Sequence, residues 1–217
     1  MGHEMNVTKR ARVLLADDHS LVAAGLSKLL ESEHELLATV GDGRALVASA
    51  RTTNPDVVLA DISMPILNGL EAARQIRAFN PVCKIIFLTV HSDSVYVKEA
   101  FRAGASGYVL KRSAASELSL AIQEVLNNNR YVTPLINRGA LEDLLDNRGN
   151  QTQLLSSRQR EVLQLVAEGH SAKEIGNILS ISSKTVEFHK GSIMKKLDLH
   201  STAELTRYAL EHQISGG

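Results

Sequence analysis

The sequence has little of several residue types, and each shortage excludes a class of protein. Cys83 is the only cysteine, so an internal disulfide and a CxxC metal site are both excluded, and we expect a reducing, cytoplasmic location. No apolar run approaches the roughly 18 residues that a membrane span needs. Tryptophan is absent and aromatic residues make up 4% of the chain, which disfavours an aromatic-lined cavity for a small ligand.

An excess of charge of either sign is also lacking. The 24 Lys and Arg residues balance the 24 Asp and Glu residues, so a nucleic-acid surface would have to be a local patch. The first twelve residues carry charge but no apolar segment, so we expect no secretory signal. With 217 residues, 44% apolar and 22% charged, the chain has the composition of a soluble globular protein with one large domain or two small ones.

From Val13 onward, short apolar runs of strand length alternate with amphipathic stretches of helix length, which predicts a doubly wound α/β domain. We expect a parallel sheet of five strands, because the runs are nearly continuous in apolar residues. The strand candidates are Val13–Ala16, Leu36–Val40, Val57–Ala60, Ile85–Leu88 and Gly107–Leu110. Helices are expected near 20–32, 43–53, 68–79, 93–103 and 115–127, with caps at Ser20, Asn68 and Ser94.

The C-terminal part has a different pattern, which predicts a second, all-α domain. Residues 139–153 are polar and rich in turn residues after a short helical LEDLL, and from Ser156 the strand signal disappears. Helices are expected near 157–168, 171–178, 183–196 and 201–211. We therefore predict a first domain over 12–130, a linker over 131–153 and a helical domain over 154–217.

Polar residues follow the predicted strands at the points where ligands bind in parallel sheets. Asp17 and Asp18 end the first strand, Asp61 the third and Thr89 the fourth, and Lys111 follows the fifth. Three carboxylates held close together repel one another unless a cation lies among them, and oxygen ligands suit Mg²⁺. Such a pocket can transfer a phosphoryl group onto a carboxylate, although any one aspartate could instead cap a helix or turn.

Four segments resemble the signature of a two-component response-regulator receiver domain over residues 12–128. They are LLADDH (14–19), LADISMPILNGLE (59–71), FLTVH (87–91) and GASGYVLKR (104–112). The resemblance implies that Asp61 is the phospho-acceptor, that Asp17 and Asp18 are the acidic pair, and that Asp18 binds Mg²⁺ directly. It also implies that Mg²⁺ is held by Asp61 and by the backbone carbonyl of Ser63.

The same resemblance assigns the residues that respond to the phosphoryl group. Thr89 and Lys111 match the phosphate-sensing hydroxyl and lysine, and Tyr108 matches the aromatic side chain that rotates on the output face. An aspartyl-phosphate phosphatase uses similar groups, but those enzymes resemble DxDxT at the nucleophile. Here Ser63 stands two residues beyond Asp61 and cannot act as the general acid and base, so we expect no metabolic enzyme.

Residues 155–197 carry apolar residues at helical spacing, and a helix-turn-helix is predicted from the turn before 183–196. The local charge is modest, because residues 154–217 contain 8 Lys or Arg against 7 Asp or Glu. Within 184–196, however, four lysines face one glutamate. This stripe could be a solvated helix face or a phosphate-binding surface.

The segment 155–211 resembles the helix-turn-helix output domain of the NarL/FixJ class of LuxR-type regulators. Most of the matching positions are core or cap residues. Glu161 would tie the first helix to the interior through Arg160 or a cap, or it is a surface acid. The last helix, 201–212, resembles the one through which such domains dimerise, or it caps the core. The expected DNA-contacting residues are Lys184, Thr185, Glu187, Phe188, His189, Lys190, Gly191 and Lys195.

Among these, Lys184, Lys190 and Lys195 are expected to meet phosphates, and Glu187, Phe188 and Gly191 to approach base edges. The sequence therefore predicts a transcription factor that a histidine kinase phosphorylates on Asp61 and that binds double-stranded DNA as a homodimer. Phosphorylation would either unmask the recognition helix or promote dimerisation. A phosphorylation-independent regulator whose first domain binds proteins, and a sensor of a small acyl ligand, are the alternatives.

Overall fold

A computed structural model of the chain describes residues 10–136, 155–212 and 214. It contains an α/β domain followed by a helical domain. The LEDLL segment and most of the predicted linker lie outside the described residues. Within the described ranges, no helix is both long enough and apolar enough to cross a bilayer.

The α/β domain is built on one parallel sheet with the order β2-β1-β3-β4-β5-β6. The strands are β1 (Arg12–Ala16), β2 (Glu35–Val40), β3 (Val57–Asp61), β4 (Lys84–Thr89), β5 (Gly107–Leu110) and β6 (Tyr131–Val132). Five strands match the predicted ones within one residue at each end. The strand order reverses between β1 and β3, which places a binding crevice outside the carboxyl ends of these two strands.

The sixth strand was not predicted. Tyr131 and Val132 pair in parallel with Gly107 and Tyr108 of β5, so the sheet extends into the segment assigned to the linker. A strand of two residues is too short to show alternation or an apolar run, and its neighbours are polar. Only the pairing along the edge of β5 identifies it.

Five helices cover the two faces of the sheet. They are α1 (Ser20–Glu33), α2 (Gly43–Thr53), α3 (Gly69–Phe79), α4 (Ser94–Arg102) and α5 (Ala114–Leu126). The Asn68 cap is confirmed, because its side chain accepts a hydrogen bond from the Glu71 N–H. The Ser20 cap is wrong: α1 begins at Ser20, and its N-cap is His19, whose side chain makes no capping bond. Ser94 is likewise the first residue of α4.

The side chains of each inner strand alternate between two apolar cores, one on each face of the sheet. In β1, Leu14 and Ala16 join the core under α2, α3 and α4, whereas Val13 and Leu15 join the core under α1 and α5. Strands buried on both faces need apolar residues at every position. The polar residues are therefore confined to the strand ends, where the crevice lies.

In residues 155–212, the described part of the helical domain, four helices surround a separate core. They are α6 (Ser157–Ala167), α7 (Ala172–Leu179), α8 (Ser183–Leu197) and α9 (Thr202–Glu211). Capping boxes at Ser156 and Ser171 fix the starts of α6 and α7. Gly176 permits the tight turn into α8, because a Cβ there would lie 2.7 Å from the carbonyl oxygen of Ile181. This turn presents α8 as the second helix of a helix-turn-helix.

Candidate functional site

Acidic side chains meet at the carboxyl ends of β1 and β3. Ligand atoms of Asp17, Asp18, His19 and Asp61 all lie within 4.8 Å of one another. Asp17 and Asp61 are 3% and 4% exposed, so their charges are largely removed from water. The two strands are neighbours in the sheet. The topology therefore brings together carboxylates that are more than forty positions apart in the sequence.

Lys111 is the cation at the centre of this cluster. Its Nζ lies 2.6 Å from Asp61 Oδ2 and 2.8 Å from Asp17 Oδ2. Burial would lower the pKa of Lys111, but its hydrogen bonds to Asp17 and Asp61 outweigh burial and raise it. Burial raises the pKa of Asp61 above its usual value, even though Lys111 acts in the opposite direction. One ammonium thus offsets only part of the negative charge.

The donor set fits a divalent cation of the Mg²⁺ type. The carboxylates supply hard oxygen ligands, and a single lysine leaves their charge incompletely balanced. Asp17, Asp18 and Asp61 would hold the ion, together with the backbone carbonyl of Ser63 that the resemblance to receiver domains implies. His19 was not predicted in this cluster, and its Nδ1 lies 3.3 Å from Asp17 Oδ1 and 3.0 Å from Asp18 Oδ1.

The hydroxyl and aromatic residues of β4 and β5 lie next to the cluster. Thr89 is fully buried, and its Oγ1 accepts a hydrogen bond of 3.2 Å from the His91 N–H. Tyr108 is also fully buried, and its hydroxyl donates to the His91 carbonyl oxygen over 2.9 Å. Burial raises the pKa of Tyr108, so the phenol stays protonated as a donor.

His91 is a second residue to which the sequence assigned no role. Its Nε2 lies 3.4 Å from Ser63 Oγ, and its ring stacks on Tyr96 at 3.9 Å between centroids. Burial lowers the pKa of His91, although the Asp61 carboxylate acts in the opposite direction. His91 therefore links the carboxyl end of β4 to Ser63 through a side-chain contact.

The loop that follows Asp61 approaches the strand very closely. The Gly69 N–H donates to the Ile62 carbonyl over 2.9 Å, and a Cβ on Gly69 would lie 2.0 Å from the Asp61 carbonyl oxygen. Only glycine fits there. Pro65 is exposed in the loop, whereas Met64 is buried. Gly69, which like Pro65 belongs to the quoted motif LADISMPILNGLE, thus fixes the loop against the end of β3.

The predicted DNA-contacting residues lie along α8, with Val186 and Ile193 turned into the core. Phe188 is 72% exposed, and its ring meets the His189 ring edge to face. Lys190 Nζ pairs with Glu187 Oε1 at 3.1 Å, so part of the local charge is neutralised. The residues of this set on the exposed surface are Lys184, Glu187, Phe188, Gly191 and Lys195.

Thr185 and His189 are half-buried on the same helix. The Thr185 N–H donates to the Ser182 side chain over 3.0 Å, and the two hydroxyls are 2.8 Å apart. Thr185 therefore takes part in the cap that starts α8. A cap of this kind fixes the direction in which the helix leaves the turn.

The two domains contact each other through α6 and α3. Glu71 is 2% exposed, and its carboxylate accepts hydrogen bonds from Arg160 Nε, at 2.6 Å, and from the Ser157 hydroxyl. Glu161 accepts from Arg158 within α6 and from Gln75 Nε2 of α3 at 3.0 Å. Glu161 thus ties α6 to the α/β domain, and the expected link to Arg160 is replaced by the Arg160–Glu71 pair.

Comparison with known proteins gives two family matches that together cover most of the chain. Residues 13–123 match the response regulator receiver domain, and residues 153–209 match the bacterial regulatory proteins of the luxR family. The chain is 37% identical over 213 residues to the oxygen regulatory protein NreC of Staphylococcus aureus, covering 94% of this chain and 98% of NreC.

Solved structures show the same architecture. The RcsB response regulator of Salmonella typhimurium matches with a TM-score of 0.61 and 28% identity, over 94% of this chain and 98% of RcsB. An RcsB–DNA complex matches with a TM-score of 0.56 and 28% identity, over 92% of this chain and 98% of that one. A two-component response regulator of the LuxR family from Aurantimonas sp. is 35% identical, with a TM-score of 0.59, over 63% of this chain and 99% of its own.

Proposed function

Because the chain belongs to the response regulators that join a receiver domain to a LuxR-type helix-turn-helix domain, it is a DNA-binding regulator of a two-component system, and we propose that Asp61 is its phosphorylation site. The observation that carries this proposal is the position of Asp61, buried at the end of β3 between Lys111 and the other carboxylates. Its donor in the cell would be a histidine kinase, and we place both in the cytoplasm.

The proposed reaction is a nucleophilic displacement at phosphorus. A carboxylate oxygen of Asp61 forms a bond to the phosphoryl group of a phosphohistidine, the P–N bond breaks, and the imidazole leaves with the electron pair. Asp61 must be ionised to attack, and Lys111 at 2.6 Å favours that form against the effect of burial. Asp17, Asp18, Asp61 and the Ser63 carbonyl would hold Mg²⁺, which neutralises charge on the incoming group when bound.

Thr89 and Tyr108 are suited to report the new charge. A phosphoryl group adds about −1.5 to −2 charges and strong acceptor oxygens. The Thr89 Oγ1 accepts from the backbone N–H of His91, and the Thr89 hydroxyl also forms a hydrogen bond with Tyr108. A phosphoryl oxygen would compete with Tyr108 for the Thr89 proton. Tyr108 bonds to the carbonyl of His91, so a movement of His91 would reach both side chains.

The exposure of α8 bears on how phosphorylation would act. Lys184, Glu187, Phe188 and Gly191 are exposed while the two domains are in contact. Masking of the recognition helix therefore receives no support from this arrangement, and we favour dimerisation on DNA as the phosphorylated state. Sedimentation with and without a phosphoryl mimic separates the two mechanisms, since a gain in DNA affinity at unchanged mass would contradict dimerisation.

Intact-mass spectrometry after treatment with acetyl phosphate and Mg²⁺ tests the proposal, with Asp61→Asn as the comparison and DNA retention measured on the same samples. We expect one phosphoryl adduct in the parent chain, none in the variant, and increased DNA retention only where the adduct forms. An adduct that persists in Asp61→Asn would place the site elsewhere. No adduct at any Mg²⁺ concentration, with DNA retention unchanged, would favour a phosphorylation-independent regulator.

A further inference from the structure

The loop that follows the proposed acceptor is held by the helical domain. Residues 62–68 connect β3 to α3, and we call the part that the helical domain contacts, residues 64–68, the 64–68 loop. Gln164 Oε1 accepts from the Asn68 N–H over 2.8 Å, and Gln164 Nε2 donates to the Met64 carbonyl over 3.0 Å. One amide side chain from α6 therefore satisfies a backbone donor and a backbone acceptor at the two ends of the loop.

Glu168 holds the middle of the same loop. Its two carboxylate oxygens lie 3.2 and 3.3 Å from the Ile66 backbone nitrogen, which donates to them. Gln164 Nε2 also donates to Glu168 Oε1 over 2.7 Å, so the two side chains orient each other. Gln164 is 1% exposed, so its hydrogen bonds to the loop are shielded from water. Away from water a hydrogen bond is stronger, and a polar group left without a partner costs more free energy.

Ile66 has a backbone conformation that its side chain does not favour. Its φ is 69°, and the Leu67 N–H donates to the Pro65 carbonyl over 2.7 Å, which makes a three-residue turn centred on Ile66. A positive φ at a β-branched residue is a genuine outlier, and turns of this kind are strained. Such strain persists only where the surroundings hold it, and here Glu168 holds the strained peptide group directly.

The loop is also joined to the reacting residue. The Ser63 N–H lies 3.3 Å from Asp61 Oδ1 and donates to it, while Lys111 occupies Oδ2. At the other end, Gly69 is fixed against the carbonyl of Asp61. The residues that flank the loop on both sides therefore contact Asp61, which gives a change in the loop a short route to the acceptor.

We propose that Gln164 and Glu168 are positioning residues for the reaction at Asp61, and that they slow phosphoryl transfer by fixing the strained 64–68 loop while the domains are docked. This inference rests on the proposed function. It follows that the helical domain controls the chemistry of the α/β domain, in the opposite direction from signal output.

The test uses the full chain with single substitutions in the contact. Glu168→Ala and Gln164→Ala remove the hydrogen bonds to the loop, and Glu168→Gln keeps one oxygen to accept from the Ile66 N–H. Glu211→Ala, an exposed glutamate at the end of α9, is the matched control. Ile66→Gly relieves the backbone strain at residue 66 and leaves the sequence of the helical domain unchanged.

Two quantities are measured on each variant. The first is amide hydrogen exchange of residues 64–68 without any phosphoryl donor, and the second is the rate at which acetyl phosphate with Mg²⁺ adds the phosphoryl mass. We expect Glu168→Ala and Gln164→Ala to exchange faster in the loop. We also expect them to be phosphorylated about fivefold faster or more, the factor in rate that corresponds to releasing about 1 kcal/mol of backbone strain. Glu168→Gln and Glu211→Ala should behave like the parent chain.

Ile66→Gly makes the prediction more specific. Once the strain is gone, adding Glu168→Ala should accelerate phosphorylation by much less than it does in the parent chain, because the clamp no longer holds a strained turn. Equal acceleration in both backgrounds, or an unchanged or slower rate in the single variants, would overturn the inference. A parent chain that takes no phosphoryl group, with loop exchange still faster in Glu168→Ala, would refute the proposed function while the clamp itself stands.

Discussion

Lys111 Nζ and Asp61 Oδ2 are 2.6 Å apart, and this ion pair opposes the effect of burial on the carboxyl at the proposed phosphorylation site. Burial raises the pKa of Asp61, and the hydrogen bond and charge of Lys111 lower it. Lys111 therefore favours the ionised form of Asp61, which the proposed reaction needs, although burial has the larger effect on its pKa.

Replacing the lysine should shift this balance. In Lys111→Met we expect the pKa of Asp61 to rise further, because the hydrogen bond and the opposite charge that lower it are removed. The pH at which Asp61 becomes reactive toward acetyl phosphate would rise with it. Carboxyl carbon NMR as a function of pH measures the shift, and Lys28→Met, an exposed lysine on α1, is the control. An unchanged titration of Asp61 would show that Lys111 does not set its charge state.

The close approach of Gly69 to β3 can be tested by one methyl group. Gly69→Ala places a Cβ 2.0 Å from the Asp61 carbonyl oxygen, so we expect a loss of about 3 kcal/mol or more in the free energy of unfolding. Gly25→Ala is the control, because nothing lies within 4 Å of its Cβ and it is inside helix α1. Alanine there should stabilise by about 0.5 to 1 kcal/mol. Urea denaturation of both variants measures the difference, and a neutral Gly69→Ala would contradict the structure of the loop.

Glu71 predicts how stability depends on pH. Burial would raise its pKa, but the hydrogen bonds from Arg160 and Ser157 and the charges of Arg160 and Arg74 outweigh burial, so the pKa lies below the ordinary 4.5. A carboxyl with a depressed pKa stabilises the folded, docked chain above its ordinary pKa. That contribution is lost as the pH falls through the depressed value.

Glu71→Gln should therefore cost about 1 to 3 kcal/mol at pH 7, and the deficit relative to the parent chain should shrink as the pH falls below 4.5. Urea denaturation at several pH values measures this, with the exposed Glu211→Gln as a control that should lack the effect. A deficit that stays constant down to low pH would mean that the charge of Glu71 does not stabilise the contact.

The exposed residues of α8 predict separable effects on DNA binding. Lys184→Gln should weaken binding to all sequences and reduce the slope of log affinity against log salt by about 1, because one phosphate contact is lost. Phe188→Ala should leave the slope unchanged and reduce the preference for the specific site by about 1 to 3 kcal/mol. Filter retention at several salt concentrations separates the two, and Lys28→Gln is the control. A salt slope changed by Phe188→Ala would argue against a base contact.

The acidic pocket could be predicted because its residues follow strands that the apolar pattern marks clearly. Each of Asp17, Asp61 and Thr89 comes directly after or at the end of a buried run, and parallel strands end at one edge. His19 and His91 were missed, although both stand in the quoted motifs. A histidine in a short motif has no preferred role until its neighbours in space are known.

The sequence by itself determined the two folds, the five principal strands, the boundaries of the helices within a few residues, and the acidic pocket. These features depend on periodicity and on strand ends, which are local properties of the chain. Only the tertiary structure decided that Tyr131 and Val132 extend the sheet, that Glu161 faces the α/β domain, and that Gln164 and Glu168 hold the 64–68 loop. Such contacts join residues up to about a hundred positions apart, and no local pattern records which polar side chains will be buried against each other.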